Sequence, residues 1–225
     1  ELGKINASKG HVEEAFENYQ LVLVYRDEIK RPKVEAEALF NLAHLYTMQG
    51  KYNEALQNHK LALAIRRSIN DKKNEAQSLN DIGELYGLMK NAEKAMANHL
   101  VALEIRQKLK DKKGIAESYN NIGVEYYHQK NFNRAIANLD LALAAGKESD
   151  DQHQMSKSYE YLSECFEAKG DLSKALQYKD YFFGMNELIQ GEKDEQELLD
   201  AQTSYEVRKT EEEIANLEAA RVQRE

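Results

Sequence analysis

Residues 41–63 read NLAHLYTMQGKYNEALQNHKLAL, and the same spacing of residue types returns at 81–103 (DIGELYGLMKNAEKAMANHLVAL) and 121–143 (NIGVEYYHQKNFNRAIANLDLAL). Four columns hold a forty-residue register. Alanine stands at 15, 55, 95, 135 and 175. Leu2, Leu42, Ile82, Ile122 and Leu162 form an aliphatic column, followed by the small residues Gly3, Ala43, Gly83, Gly123 and Ser163. Tyr46, Tyr86, Tyr126 and Phe166 recur three residues later. Such periodicity is the signature of a stacked repeat. Leu42, Ala43 and Tyr46 share one helical face, and Ala55 falls where a second helix crosses the first, a small residue letting the backbones approach. Gly10, Gly50 and Gly170 precede the alanines by five residues, where a helix ends in a positive φ; Lys90 and Lys130 replace them in the middle copies.

The pattern L-G/A-x-x-Y followed by A-x-x-x-x-x-x-A-L resembles the tetratricopeptide repeat. That resemblance implies an all-α, right-handed solenoid of antiparallel helix pairs. The period of forty exceeds the usual ~34, and the extra residues follow Ala62, Ala102 and Ala142, lengthening the second helix and its loop. The expected organisation is an array over 1–194, with a partial repeat at 1–34 and repeats at 35–74, 75–114, 115–154 and 155–194. A long capping or coiled-coil helix follows at 195–225. Arg26, Arg66 and Arg106 share a column near the end of the second helix, where a cation meets unpaired carbonyls. Asp71, Asp111 and Asp151 stand where an acid caps the next helix. Pro32, the only proline, marks a helix start.

Of 225 residues, 42% are hydrophobic and 31% charged, which suits a continuous core with a well-solvated surface. No run of ~20 apolar residues occurs, and none lies near Glu1 as a signal segment. A first residue other than Met, inside a repeat, reads as part of a longer chain. A net charge of −8 opposes non-specific binding to nucleic acid, which depends on neutralising phosphates. The one cysteine, Cys165, falls in the column of Leu45 and Leu85 and is expected to be a buried structural thiol. His59 and His99 lie a full repeat apart on the second helix, too far to share a metal ion. No Gly-rich phosphate loop, G-x-S-x-G elbow or H-E-x-x-H helix appears, so neither catalytic nor metal-binding residues nor a cofactor are expected.

A solenoid of this kind offers a concave groove lined by the first helix of each repeat. The resemblance places Asn41 and His44 there, then Asn80, Asp81 and Glu84, then Asn120, Asn121, Tyr127 and His128, then Glu160 and Glu164. The asparagines read as a ladder that holds an extended peptide by its main chain. The acids, with Glu117 and opposed by Lys157, select a basic or amphipathic partner over an acidic carboxyl terminus.

From Glu192 to Glu225 eleven acids stand against five bases, with no Pro or Gly, which predicts a long polar helix. Leu198, Ala201 and Tyr205 form a stripe expected to cap the last repeat. Val207, Ile214 and Leu217 form a short a/d stripe through which a homodimer can pair. The stretch from Leu162 to Glu218 resembles the end of the repeat domain in bacterial membrane-anchored signalling proteins, including histidine kinases. That resemblance implies a sensory input domain in the periplasm, joined to the membrane by a helix downstream of Glu225, with any phosphotransfer in residues beyond this sequence. Two alternatives stay open. One is a scaffold similar to kinesin light chains, which places the array in the cytoplasm; the other is a peptide-sensing receptor of the quorum type.

Overall fold

The computed structural model describes the backbone of residues 12–222 and the side chains of 12–207 and 209. Ten helices and no strand occur among them. α1 is Val12–Val24 and α2 the single turn Arg26–Ile29. Four hairpins follow: α3 (Pro32–Met48) with α4 (Tyr52–Ser68), α5 (Lys72–Leu88) with α6 (Ala92–Leu109), α7 (Lys112–His128) with α8 (Phe132–Ser149), and α9 (Gln152–Ala168) with α10 (Leu172–Val222). Each first helix packs on its own partner and on the second helix of the preceding pair, so apolar clusters follow one another along the stack.

The columns behave as their chemistry requires. Ala55, Ala95 and Ala135 are wholly buried at the crossing within each hairpin, and Leu42, Ile82, Ile122 and Leu162 are 0–3% exposed. A Cβ on Gly83 would lie 2.6 Å from the His99 ring and one on Gly123 2.8 Å from Leu139, which explains the small-residue column. Asp71, Asp111 and Asp151 cap α5, α7 and α9, accepting from the backbone N–H three residues on. Pro32 is the first residue of α3. The helix pairs therefore start at 32, 72, 112 and 152, three residues before the boundaries read from the sequence. Cys165 is fully buried, and burial pushes its thiol up to about 11.

Within each hairpin the turn uses a left-handed residue: Gly50 (φ 73°) and Gly170 (φ 79°), but Lys90 and Lys130 (both φ 59°) in the middle pairs. The following amide bonds back five residues in every copy, as from Asn91 N to Tyr86 O at 2.8 Å. A lysine held there carries the Cβ penalty that glycine avoids. Lys90→Gly and Lys130→Gly are each expected to stabilise the array by about 0.5–1 kcal/mol, read as a higher urea midpoint.

Two expectations need correction. Arg66 and Arg106 do lie in the last turn of α4 and α6, but their guanidinium groups bond to the next repeat instead of staying at the helix end. Arg66 and Arg106 are 5% and 2% exposed and donate across to the next repeat; Arg26, by contrast, is exposed. The Leu198, Ala201 and Tyr205 stripe does not cap the last repeat: all three are exposed, Leu198 by 61% and Tyr205 by 65%. The apolar end of the stack is covered earlier, by Phe182 and Met185 of α10, and Gln152 still reaches Glu192 at 2.6 Å. Beyond that point α10 continues without a break at 194/195. At 51 residues it is ~75 Å long. The side chains of Ile214 and Leu217 lie outside the described residues, as do Leu2, Gly3 and Gly10. No helix among the described residues is long and apolar enough to cross a membrane.

Candidate functional site: the concave groove

The first helices α3, α5, α7 and α9 bring the groove residues together as a stripe, but burial divides them. Asn80 and Asn120 are fully buried and Asn121 is 4% exposed. Asn80 Nδ2 donates to Glu117 Oε1 (2.8 Å) and Glu84 Oε1 (3.3 Å). Asn121 Nδ2 donates to Glu84 Oε1 (2.7 Å) and Asn80 Oδ1 (3.0 Å). Asn120 Nδ2 donates to both oxygens of Gln154, and Asn120 Oδ1 accepts from Ser158 (2.7 Å). An amide has two N–H donors. All six are engaged inside the protein, so these asparagines tie repeat to repeat and cannot form the expected ladder for a peptide main chain. Asn41 alone lies half-buried, bonded to Glu37 O of its own helix.

Arginine completes this lateral network. Arg106 donates through Nη1 to Gly114 O (2.9 Å) and Ser118 Oγ (2.8 Å), and through Nη2 to Gln77 Oε1 (2.8 Å) and Glu117 Oε2 (2.7 Å). One guanidinium thus fastens α5, α6 and α7. Arg66 makes the equivalent bonds to Asn74 O and Ser78 Oγ while lying 4.2 Å over the Phe40 ring.

What remains open to a partner is acidic and aromatic. Glu84 and Glu160 are exposed, Glu164 and Tyr127 half-buried, and His128 and His44 exposed. Tyr127 and Tyr161 pack edge to face at 5.5 Å. The Glu84 carboxyl is surface-accessible, yet the concavity around it desolvates it and, with Asp81 and Glu117, raises its pKa against the opposite pull of Lys157 and Asn121. Glu160 is likewise raised, by desolvation and then by Glu164. Lys157, whose charge pulls both back down, is bonded to Asn121 Oδ1 at 2.8 Å. The groove therefore concentrates negative charge that the chain itself leaves under-compensated.

At its first-repeat end His44, His59 and Asp81 converge from α3, α4 and α5, their ligand atoms within 4.8 Å of one another. His44 Nε2 lies 3.2 Å from Asp81 Oδ2, a contact that becomes an ion pair when the imidazole is protonated. Burial pulls the His44 pKa down, but the contact with Asp81 and the charges of Asp81 and Glu84 together raise it. His59 is fully buried and pushed down to about 4, chiefly by burial, and neither ring nitrogen has a hydrogen bond. The sequence reading missed this grouping because it compared histidines along one column, whereas the three residues come from three helices.

This stack of helical hairpins defines the class: a helical-repeat protein-interaction module. The chain belongs to the tetratricopeptide repeat family, whose sequence patterns match residues 1–68, 34–108 and 115–149. No curated protein sequence matches it. Among solved structures, BtubC (BKLC) from P. vanneervenii is 25% identical with a TM-score of 0.72, over 84% of this chain and 79% of that one. A Rap protein complexed with competence and sporulation factor gives 21% and 0.72, over 81% and 51%. Aspartyl phosphate phosphatase F from Bacillus subtilis gives 16% and 0.75, over 84% and 49%. The chain spans about half the length of these last two, and at such identity the likeness concerns the fold.

Proposed function

We propose that the concave groove binds a basic, amphipathic segment of a protein or peptide partner. The observation that carries this is the grouping of Glu160 and Glu164 with Tyr127 and Tyr161, in which Glu164 accepts from the Tyr127 hydroxyl and the two rings stand edge to face: carboxylates next to tyrosines receive Lys or Arg by charge and by cation–π contact. The Rap protein in complex with competence and sporulation factor is a precedent for ligand binding by this fold.

The test is fluorescence anisotropy with two labelled peptides of equal length, one alternating Lys and Leu in amphipathic register and one with Glu for Lys. Only the basic peptide is expected to bind, more weakly as salt rises. The triple variant E84Q/E160Q/E164Q is expected to lose about tenfold in affinity, or ~1.4 kcal/mol. A cation favours the ionised carboxylate, so the contribution of Glu84 and Glu160 to binding is present above their pKa and lost as pH falls through it. Because the pKa values of Glu84 and Glu160 are raised, their part of the loss begins above the ordinary carboxylate range. Equal binding of both peptides, or of neither, would remove this reading.

The continuous α10 favours a finer role within the same reading, as the sensory input of a signalling chain. A partner that prefers one curvature of the stack would shift its population, and a rigid helix leaving the last pair would carry the change outward. Attachment to a membrane with the array in the periplasm belongs to that proposal.

A further inference from the structure

The repeat supplies its own controls for the His44, His59 and Asp81 cluster. Moving one period along the stack, the same three positions hold Glu84, His99 and Asn121; one period further, they hold Val124, Leu139 and Tyr161. In the middle set the buried imidazole is satisfied, since His99 Nδ1 lies 3.2 Å from Asn80 Oδ1. The third set has no ligating group apart from the phenol of Tyr161. In the first set the residue equivalent to Asn80 is Phe40, whose ring packs edge to face on His59 and offers no acceptor. His59 is thus 0% exposed with both nitrogens unpaired, and Asp81, 5% exposed, leaves Oδ2 without a hydrogen bond. A buried imidazole with neither nitrogen met is costly, and Asp81 Oδ2 is met only by the His44 ring at 3.2 Å.

From this geometry we infer that His44, His59 and Asp81 form a binding site for a divalent transition-metal ion of the zinc class. Two imidazoles and one carboxylate are a common open zinc set, with the fourth position left for water or an incoming ligand. Tetrahedral bonds of ~2.0–2.1 Å place ligand atoms ~3.3 Å apart. The His44 to Asp81 separation of 3.2 Å already meets this, and because all three ligand atoms lie within 4.8 Å of one another the set needs to close by no more than about 1.5 Å. The carboxylate is oriented from behind, its Oδ1 accepting from Gln77 Nε2 at 2.9 Å, the kind of outer contact that metal ligands use. His44 keeps 48% of its side-chain surface, so the fourth position opens into the groove. Glu84, one turn beyond Asp81, adds favourable charge. Arg66 is the opposing cation, but it is turned into its bonds with Asn74 O and Ser78 Oγ. The site does not depend on the partner reading above.

The test is calorimetric titration of the full chain with zinc chloride alone, near pH 7.5, with cobalt(II) absorption to report coordination geometry. One saturable equivalent with a tetrahedral cobalt spectrum is expected. H59L installs the residue that Leu139 already provides in the third pair, and D81N installs that of Asn121, so both variants suit the fold; H44A alters an exposed residue. Each is expected to weaken zinc binding at least ~100-fold, as loss of a direct ligand exceeds the loss of an outer contact. Circular dichroism checks folding, and should H59L fail to fold, H44A and D81N decide. Absence of saturable one-to-one binding would overturn the inference. So would binding that survives these substitutions, which would point to exposed histidines such as His128 and His153.

Discussion

Methionine in place of Arg106 is expected to lower stability by about 3 kcal/mol and to broaden the urea transition. The guanidinium is 3% exposed and holds four bonds that join α5, α6 and α7; methionine fills most of the space and supplies none of them. Removing one partner of a buried charged pair costs about 3–5 kcal/mol. The lower end applies here because Glu117 keeps 23% of its side-chain surface in water. The broadening follows from linear architecture. Stability in a stacked array is a sum of local and nearest-neighbour terms, and Arg106 lies at the junction between the second and third pairs, so weakening it lets the two halves unfold separately. In the double variant R106M/E117Q part of the loss should return, with a coupling of about 1–3 kcal/mol. A single variant that loses under about 1 kcal/mol with an unchanged slope would show that the pin contributes little.

Asn80→Leu is expected to cost about 2–4 kcal/mol, although the volume barely changes. Asn80 is the meeting point of His99, Asn121, Glu84 and Glu117. Leucine leaves the His99 ring nitrogen and one Asn121 donor buried without partners, each worth about 1–3 kcal/mol, against a modest gain in apolar contact. Urea denaturation measures the total, and hydrogen exchange should localise the loss of protection to α5, α6 and α7. The same variant separates two roles for the asparagine. A residue that holds a peptide main chain would alter peptide affinity and leave stability intact; a residue that ties repeats together lowers stability first.

These two residues mark how far the sequence could be read. Arg106 was legible as a column member and as a cation at a helix end. The sequence did not reveal that its side chain crosses to Gly114 O and Glu117 on the next pair, because a column compares equivalent positions while the contact joins different ones in adjacent repeats. Asn80, Asn120 and Asn121 were legible as first-helix residues on the groove stripe. Curvature decided their exposure: where the first helices crowd on the concave side, the innermost side chains meet each other before they meet solvent. Glu125 is a further case. It stands in the column of Leu45, Leu85 and Cys165, is 6% exposed, and has its carboxyl raised by burial; only packing shows that the bare Cα of Gly87 makes room for it.

The all-helical hairpin stack, its forty-residue period, the aspartate caps, the proline start and the left-handed turns were legible in the order of residues. These depend on i to i+4 relations and on backbone sterics, which are local and repeat with the chain. Packing between neighbouring pairs set which polar groups are engaged and which are open. It turned the asparagine ladder inward, left Glu84 and Glu160 facing the groove, carried α10 past the last pair as one helix, and brought His44, His59 and Asp81 together from three helices. Those outcomes depend on the twist and spacing between neighbouring pairs, which no single period encodes.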